Sequence, residues 1–409
     1  MTSLLIVADD LSGAADCASA CRHHGLSASV SLNPLVIPNS QNNAGEKRVL
    51  AVDAHSRNLR PDQAADLHCR ILKHHLTKTT ALYKKVDSTF RGNIGAEIAA
   101  TVALAGMAIL APAFPATGRS TIDGQQWVHG TELSKTQIWR NDGQSGTADI
   151  AQMMQAEGLR VVKIPLSEIR DPTTPLQDRF LACAQAGVDV LVCDAEQAYD
   201  LERIARSSIN LPAHYFWAGS AGLMEYVAQA LKQEHNAAQI TLPAVNGRVL
   251  TIAGSMSTIC AEQVRQLNKQ RDIQLVTAPA GTLTAGESHA HWPALCHSLT
   301  AALERGDAII GIPDDNRVER AAGAALCLAL GRLVAPQVAR LGAIVATGGE
   351  TARAVFDAVK ITALHLAGDV EEGVPISLAT GALTLPVITK AGAFGNAQTL
   401  VRCYDTLRG

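Results

Sequence analysis

The sequence predicts an α/β protein of two doubly wound domains with mainly parallel sheets, and three observations support that prediction. A chain of 409 residues is too long for one ordinary hydrophobic core. Its hydrophobic fraction is 47% but its aromatic fraction only 4%, so the cores consist of Ala, Val, Leu and Ile, which let helices pack closely on a sheet. Short apolar runs alternate with segments of helical period, the pattern of parallel strands joined by crossover helices.

The apolar runs locate the strands and the boundary between the domains. In the first half they predict strands at LLIVAD, SASVSL, RVLAVDA, ALYKKVD, MAILAPA, LRVVKIP, VDVLVCDA and AHYFWAG. Helical patterns lie between them, for example from Ala15 to Arg22, ended by Gly25. The alternation lapses at residues 233–247 and then restarts with RVLTIAGS, IQLVTAPA, GDAIIGIP, GAIVATGG and LPVITKAG. The predicted domains are therefore residues 1–235 and 246–409.

Net charge, cysteine content and hydropathy indicate which partners and which cell compartment to expect. The formal net charge of −3 argues against a nucleic-acid or membrane partner, whereas a small anionic ligand needs only a local basic site. Nine scattered cysteines without a C-x-x-C pair indicate reduced thiols rather than a disulfide framework or a zinc site. The N-terminus lacks the features of a signal peptide, and the most apolar helical stretch is too short to span a bilayer, so we expect a cytoplasmic protein.

Two adjacent acids, Asp9 and Asp10, end the first predicted strand. In open α/β sheets, ligands gather at the carboxyl ends of the strands. One acid is explained as the N-cap of the following helix, but the second is not, so at least one is a candidate functional carboxylate. The segment DDLSG lacks the residue that separates the two acids in phosphatases with an aspartyl nucleophile.

A second strand ends at Asp53, and Ser56 and Arg57 follow it. An arginine in this place is either solvated or clamps a carboxylate through two parallel N–H bonds. The residues alone leave both interpretations open.

The densest polar stretch of the chain is LYKKVDSTFRGNIGAEI. It brings hydroxyl groups, backbone N–H groups and two kinds of cation to a strand end, which suits a small polyhydroxylated anion. The side chains concerned are Lys84, Lys85, Asp87, Ser88, Thr89 and Arg91, with Gly92 and Gly95 at the next helix start. A polar loop before a capped helix would explain Ser88 but not the whole set.

A long loop, APAFPATGRSTIDGQQWVHG, contains two further reactive side chains, Arg119 and Asp123. Loops of this length are often functional. Structural glycine turns are the alternative interpretation.

Three strand–glycine–helix turns mark the second half: TIAGSMST, AIVATGGETARAVF and TKAGAFGNAQTL. Each presents the open N–H groups of a helix start, and three together favour a nucleotide. Neither G-x-x-x-x-G-K-[ST] nor G-x-G-x-x-G occurs, so neither a P-loop nor a standard dinucleotide site is indicated.

Taken together, ADDLSGAAD, DAHSR, KKVDSTFRGNIGAE, PAFPATGRSTIDG, GSAGL, GSMS, ATGGETA and TKAGAFG resemble the four-carbon acid sugar kinase family. The match runs in order from residue 4 to about residue 400. The resemblance implies a first domain that binds the sugar acid, a second that binds ATP, and an active site in the cleft between them. GSMS has methionine where a smaller residue or cysteine is expected, and IWRNDGQSG departs from an expected Arg-Asp-Pro stretch.

The resemblance also implies roles for individual residues. The sugar acid would be bound by Asp9, Arg57, Asp87, Ser88, Thr89, Phe90 and Arg91, and ATP by Ser255, Gly348, Gly349, Glu350, Thr351, Gly392 and Gly395. A carboxylate must take the proton of the attacking alcohol, and the candidates for this catalytic role are Asp10 and Asp87. Mg²⁺ is expected with ATP, although the sequence does not identify its ligands.

The expected reaction is transfer of phosphate from ATP to the terminal hydroxyl of a four-carbon sugar acid. D-Threonate is the expected substrate, with D-erythronate or a 3-oxo-tetronate as alternatives. Two other classes stay open: a non-catalytic ATP-binding sensor of sugar acids, and a nicotinamide-dependent dehydrogenase, which would lack its usual fingerprint. The predicted partners are small molecules, and a homo-oligomer is left open.

Overall fold

The computed structural model describes residues 2–38, 48–141, 147–232, 239–255, 257–313 and 323–409, and these form two compact units. The described part of the first unit is residues 2–28, 33–37, 48–141 and 147–232. That of the second is residues 29–32, 38, 239–255, 257–313 and 323–409. The domain limits 1–235 and 246–409 stay a prediction.

Strands and helices alternate as the sequence predicts along most of the chain, but β6–β8 and β16–β18 follow one another without an intervening α-helix, and β16 and β17 are strands that the sequence does not predict. The strands are β1 (Thr2–Ala8), β2 (Ser27–Ser31), β3 (Arg48–Asp53), β4 (Ala81–Lys85), β5 (Met107–Ala111), β6 (Arg119–Ile122), β7 (Gln125–Val128), β8 (Thr131–Glu132), β9 (Val161–Ile164), β10 (Val190–Cys193), β11 (Tyr215–Gly219), β12 (Arg248–Ala253), β13 (Gln274–Thr277), β14 (Ala308–Gly311), β15 (Leu341–Thr347), β16 (Ile361–Glu371), β17 (Val374–Gly381) and β18 (Leu385–Lys390). The α-helices are α1 (Leu11–His23), α2 (Pro61–His75), α3 (Ile94–Ala105), α4 (Gln137–Asn141), α5 (Ile150–Ala156), α6 (Leu166–Ile169), α7 (Leu176–Gln185), α8 (Ala198–Ser208), α9 (Ala221–Leu231), α10 (Thr258–Arg271), α11 (Ala280–Ala285), α12 (Trp292–Arg305), α13 (Gly323–Val334), α14 (Gly349–Ala358) and α15 (Thr399–Arg408). Short 3-10 helices lie at Pro115–Thr117, Leu133–Lys135, Gly286–Ser288 and Ala335–Arg340.

The first unit is built on a parallel sheet of strand order β3-β1-β4-β11-β5-β10-β9. Strands β5 and β10 are buried along their whole length, as expected when both faces of a sheet are covered. The helices pack in two groups, α1 with α9 and α8, and α2 with α3 and α5. The predicted doubly wound α/β fold is confirmed.

Strand register determines which loops of the first unit meet. Strand β1 lies between β3 and β4, with Ala8 opposite Asp53 of β3 and Val7 opposite Lys84 of β4. Because the strands are parallel, the loops that follow them leave the same edge of the sheet side by side.

The loop predicted after β5 is largely a small antiparallel sheet of order β6-β7-β8. Asp123 and Gly124 form its two-residue turn with φ values of 52° and 70°, the left-handed conformation that Asp-Gly favours in hairpins. Both of their N–H groups donate to the carboxylate of Asp194 at 2.8 Å. The Asp123 side chain is exposed. Of the two interpretations of this loop, the structural glycine turn therefore applies to Asp123.

The second unit contains a mixed sheet of order β13-β14-β12-β15-β18-β17-β16-β2. The first five strands are parallel, and β18, β17, β16 and β2 pair antiparallel. The strand β2 comes from the N-terminal part of the chain: Ser29–Ser31 pair with residues 363–365, and the Leu32 N–H donates to the Thr362 carbonyl at 2.9 Å. Among the described residues, no helix is long and apolar enough to cross a membrane.

Candidate active site

Two adjacent carboxylates and one arginine form the centre of the candidate site in the first unit. Asp9, which is 2% exposed, accepts hydrogen bonds from Arg57 Nε at 2.7 Å and Nη2 at 3.0 Å. Asp10 Oδ2 lies 2.9 Å from Arg57 Nη1. The backbone N–H of Arg57 also donates to the Asp9 carbonyl at 3.3 Å. The guanidinium that was expected to clamp a substrate carboxylate is therefore engaged by two carboxylates of the chain itself.

Burial and charge act in opposite directions on this ion pair. Burial raises the pKa of Asp9, but Arg57, with Lys84 and Lys85, more than offsets it, and the pKa lies below its ordinary value. Burial lowers the pKa of Arg57, but Asp10, Asp9 and Asp87 hold it well above its usual range. Both groups are therefore charged at neutral pH.

Asp10 caps helix α1, since its Oδ1 accepts the Gly13 N–H at 2.9 Å. Its side chain is 17% exposed, against 10% for Asp87 and 2% for Asp9. Of the three carboxylates, Asp10 is thus the most accessible, and each of its oxygens keeps a lone pair beyond the bond it makes.

Asp87 organises the loop that follows β4. Its Oδ2 accepts the N–H groups of Thr89 at 3.2 Å and Arg91 at 3.3 Å, and also the Thr89 hydroxyl. Arg91 adds a bidentate pair, with Nε 2.9 Å from Oδ2 and Nη2 2.7 Å from Oδ1. Burial raises the pKa of Asp87, but Arg91, with Arg57 and Lys85, holds it well below its usual range. So low a proton affinity suits binding and orientation better than proton abstraction.

Three of the predicted substrate-binding residues have partners within the protein. The Phe90 ring is 1% exposed and belongs to the core of the first unit, while its backbone adopts φ 57°. The Thr89 hydroxyl donates to Asp87, and the Ser88 carbonyl accepts the Gln126 amide at 2.8 Å. Their direct contact with a substrate stays a prediction.

A buried ion pair joins the elements that carry these loops. Lys84 Nζ lies 2.8 Å from Glu97 Oε2 and donates to the Lys85 carbonyl at 2.9 Å. The Ser56 hydroxyl donates to Glu97 Oε1 at 2.6 Å, which ties the Arg57 loop to α3. The sequence reasoning missed Glu97, although a single acid in the apolar helix IGAEIAATVALA was a signal. The polar stretch also suggests that Lys84 faces a ligand, whereas in the structure Lys84 is buried and forms its ion pair with Glu97.

Several cations lie close to the carboxylates of this cluster. Burial lowers the pKa of Lys85, but Asp10, with Asp87 and Asp9, more than offsets this and raises it. Arg57 and Arg91 contact the carboxylates directly, and the charge of Arg119 also interacts with Asp87. These cations provide the local basic site that a small anionic ligand needs.

In the second unit, the three glycine turns lie at the carboxyl ends of β12, β15 and β18, which are neighbours in the sheet. A Cβ on Gly254 would overlap the Thr351 hydroxyl, and a Cβ on Gly392 would overlap the Ser255 side chain. The turns are also hydrogen-bonded, since the Ser257 hydroxyl donates to the Gly392 carbonyl at 3.1 Å. Their close approach therefore depends on glycine.

The helices that begin beside these turns differ in whether a side chain caps their first N–H groups. Ser257 caps α10, accepting the Cys260 N–H at 3.2 Å. Helix α14 begins at Gly349 after an N-cap, Gly348, that has no side chain and a φ of 89°. The first N–H groups of α14 are thus without a side-chain cap, a suitable site for a phosphate. Gly395 stands four residues before α15 rather than directly at its start.

Lys390 is a residue of this turn cluster that the sequence reasoning passed over. It is 3% exposed, and its Nζ donates to the carbonyls of Ala391 at 3.0 Å and Gly392 at 3.2 Å. Burial lowers its pKa. The TKAG segment, a lysine at a strand end before a glycine, was the available signal.

Known proteins resemble this chain along its length. It matches the sugar-binding N-terminal domain model over residues 4–227 and the nucleotide-binding C-terminal domain model over residues 250–400. It is 38% identical to a D-threonate kinase of Cupriavidus necator, over 99% of this chain and 98% of that protein. It is 28% identical to a 3-oxo-tetronate kinase of Methylobacterium radiotolerans, over 98% of both. The chain belongs to the four-carbon acid sugar kinase family, as its motifs indicated.

A solved structure supports the same fold. A Haemophilus influenzae protein superposes on this chain with a TM-score of 0.75 at 20% identity, covering 98% of this chain and 100% of that one.

Proposed function

We propose that this protein is an ATP-dependent kinase that phosphorylates the terminal hydroxyl of a four-carbon sugar acid, D-threonate in the first place, to give the 4-phosphate. The single observation that carries the proposal is the first-unit cluster, in which Asp10, the most accessible of three carboxylates, lies among several cations. A hydroxyl group and an acidic group on one small molecule match those two features. The relatives named as D-threonate kinases support the choice of substrate.

Asp10 is the general base in this proposal. Arg57 Nη1 and the Gly13 N–H hold its two oxygens in place, and the carboxylate takes the proton of the terminal hydroxyl as that oxygen attacks phosphorus. Asp87 orients the substrate and the loop to Arg91, because both of its oxygens are already engaged by the N–H groups of that loop. Asp9 and Arg57 form the buried pair that positions Asp10.

The second unit holds the nucleotide. The uncapped start of α14 fits a phosphate group, and the glycines at 254 and 392 let Thr351 and Ser255 pack closely against the turns beside it. Mg²⁺ bound with ATP would neutralise charge on the phosphoryl oxygens. Such an ion is usually held by one or two carboxylates and the phosphates.

A screen of ADP release tests the proposal. The acids are D-threonate, D-erythronate, L-threonate and 3-oxo-tetronates, each with ATP and Mg²⁺ and again with excess chelator. We expect the highest kcat/KM with D-threonate, loss of turnover with chelator and recovery with added Mg²⁺. Binding of an acid without ADP formation would favour a sensor, and preference for another four-carbon acid would reassign the substrate.

A further inference from the structure

Three guanidinium groups interact with the charge of Asp87, and two of them already make ion pairs with carboxylates of the chain. Arg57 makes a bidentate pair with Asp9 and a third contact with Asp10. Arg91 makes a bidentate pair with Asp87. Each of them uses its Nε–Nη2 edge for these pairs, so that edge is no longer available to a substrate carboxylate.

Arg119 differs from both. Its Nε is buried and has no hydrogen-bond partner among the described residues. Its charge interacts with Asp87 and Arg91, so the side chain lies near the loop that Asp87 organises. Burial of a guanidinium donor without an acceptor is costly, and a bound anion would supply the acceptor.

The backbone that carries Arg119 is fixed before any ligand arrives. Arg119 and Phe114 exchange backbone hydrogen bonds of 3.1 and 2.9 Å, which close the turn before β6. The hairpin is joined to the Asp87 loop by Gln126, which is fully buried, donates to the Ser88 carbonyl and accepts the Thr121 hydroxyl, both at 2.8 Å. The backbone of Arg119 is thus held in a fixed place relative to the Asp87 loop, which lowers the entropy cost of binding.

We propose that Arg119, rather than Arg57, binds the carboxylate of the acid substrate and makes the enzyme select acids over neutral polyols. The proposal rests on the function proposed above and names a specificity-determining residue for it. Its Nε and one Nη donate to the two carboxylate oxygens, while Asp10 faces the hydroxyl to be phosphorylated. The β6–β8 sheet is then the element that recognises the acid end of the substrate.

Calorimetry on the full-length protein tests this inference with D-threonate and with threitol, the neutral polyol of the same carbon skeleton. Arg119→Gln should raise the Kd for D-threonate roughly 10- to 150-fold, the range for a lost hydrogen bond to a charged group. Its Kd for threitol should stay that of wild type, as should its Kd for ATP. Arg119→Lys should recover only part of the affinity, because a point charge does not replace the planar fork.

Arg140→Gln is the matched control, since Arg140 is an exposed arginine of the same unit, and it should bind both ligands as wild type does. Thermal melts should show Arg119→Gln at least as stable as wild type, because the substitution removes an unpaired buried donor.

If Arg119→Gln binds D-threonate with wild-type affinity, the inference about Arg119 is overturned. If that variant also keeps wild-type kinase activity, the proposed function still stands. Equal weakening of D-threonate and threitol, or a defect confined to ATP, would overturn it as well. A wild-type protein that neither binds nor phosphorylates any four-carbon acid would remove the proposed function and the inference together.

Discussion

The ammonium group of Lys85 lies against the face of Gly13 where a side chain would begin. A Cβ on Gly13 would be 2.8 Å from Lys85 Nζ and 2.8 Å from Asp10 Oδ1. The glycine in DDLSG therefore lets a buried lysine approach the start of α1, directly beside the carboxylate that caps it. The two atoms that would be displaced are both ends of side chains, so the fold can accommodate a methyl group but the site cannot stay as it is.

Gly13→Ala should consequently reduce activity more than stability. We expect kcat/KM for the sugar acid to fall at least about tenfold, which corresponds to about 1.4 kcal/mol of lost transition-state stabilisation. The melting temperature and the Kd for ATP should change little. Gly281→Ala is the control, because no atom lies within 4 Å of a Cβ there. A Gly13→Ala enzyme with normal kcat/KM would show that the position of Lys85 is unimportant.

The Asp9–Arg57 pair should be worth more to the fold than to substrate affinity. Arg57→Ala leaves Asp9 buried without its partner, a change that typically costs about 3–5 kcal/mol. Adding Asp9→Asn to that variant should restore part of the lost stability, measured by urea denaturation as a double-mutant cycle. If Arg57→Ala instead keeps full stability and loses only acid affinity, Arg57 is the substrate clamp first expected.

Asp10→Asn should distinguish the catalytic role of Asp10 from its role as the N-cap of α1. Asparagine caps a helix about as well as aspartate, so the melting temperature and KM should stay near those of wild type. The rate constant kcat should fall about 10²- to 10⁴-fold, the usual contribution of a general base. Asp123→Asn, at the exposed hairpin turn, is the matched control. Wild-type kcat in Asp10→Asn would move the catalytic role to Asp87 or exclude a carboxylate base.

Gly392→Ala should weaken nucleotide binding alone. The new methyl group would overlap the Ser255 side chain, so the turn or Ser255 must shift within the nucleotide site. The Kd for ATP should rise at least about tenfold, which corresponds to about 1.4 kcal/mol, while D-threonate binding is unchanged. Gly368→Ala, in the same unit with no atom within 4 Å of its Cβ, should bind ATP normally. Undiminished ATP affinity in Gly392→Ala would remove this turn from the nucleotide site.

Stability should depend on pH through His68. Burial lowers the pKa of this fully buried imidazole from 6.5 to about 4, although Glu97, 3.6 Å away, counteracts the shift. Below pH 6.5 the unfolded chain binds a proton that the folded protein does not bind until about pH 4, so stability falls as the pH falls through that window. The loss amounts to about 3 kcal/mol at most.

His68→Asn tests this, because its amide can still donate to the Ala64 carbonyl that His68 Nδ1 contacts at 2.9 Å. The free energy of unfolding, followed from pH 7 to pH 4, should decline less steeply in the variant than in wild type. Identical slopes would mean that His68 takes up its proton in the folded protein as readily as in the unfolded chain.

The elements that the sequence predicted are those whose signal is local. Strands such as β5 and β10 are continuous apolar runs, and the turns at Gly254, Gly348 and Gly392 carry glycine directly after a strand. The ion pairs of Arg57 with Asp9 and Asp10 cannot be predicted from a local signal. They depend on the strand register that places Ala8 opposite Asp53. An arginine after a strand looks the same in sequence whether its partner is a ligand or a carboxylate of the next strand.

Two further differences have separate causes. The glycines and prolines of this segment predict an irregular loop, whereas the structure has the β6–β7 hairpin there. The Asp123-Gly124 pair is the local signal for that hairpin. The ring of Phe90 lies in the core and its backbone is left-handed, which the motif does not indicate, and a contact of its backbone with the substrate stays a prediction. A motif identifies a segment, whereas only the backbone decides which of its side chains face the same way.

The origin of β2 has a consequence for the order in which the protein can form. Ser29 and His365, whose side chains are hydrogen-bonded at 2.8 Å, are 336 residues apart. At about 5–20 residues per second, a ribosome needs roughly 20 to 70 seconds to make the intervening chain, and the strand has no partner in β16 until then. A fragment that begins at residue 246 would lack this strand and expose the edge of β16 to other chains. We therefore expect the second unit to form late in synthesis and to aggregate when it is expressed without the first thirty or so residues of the chain.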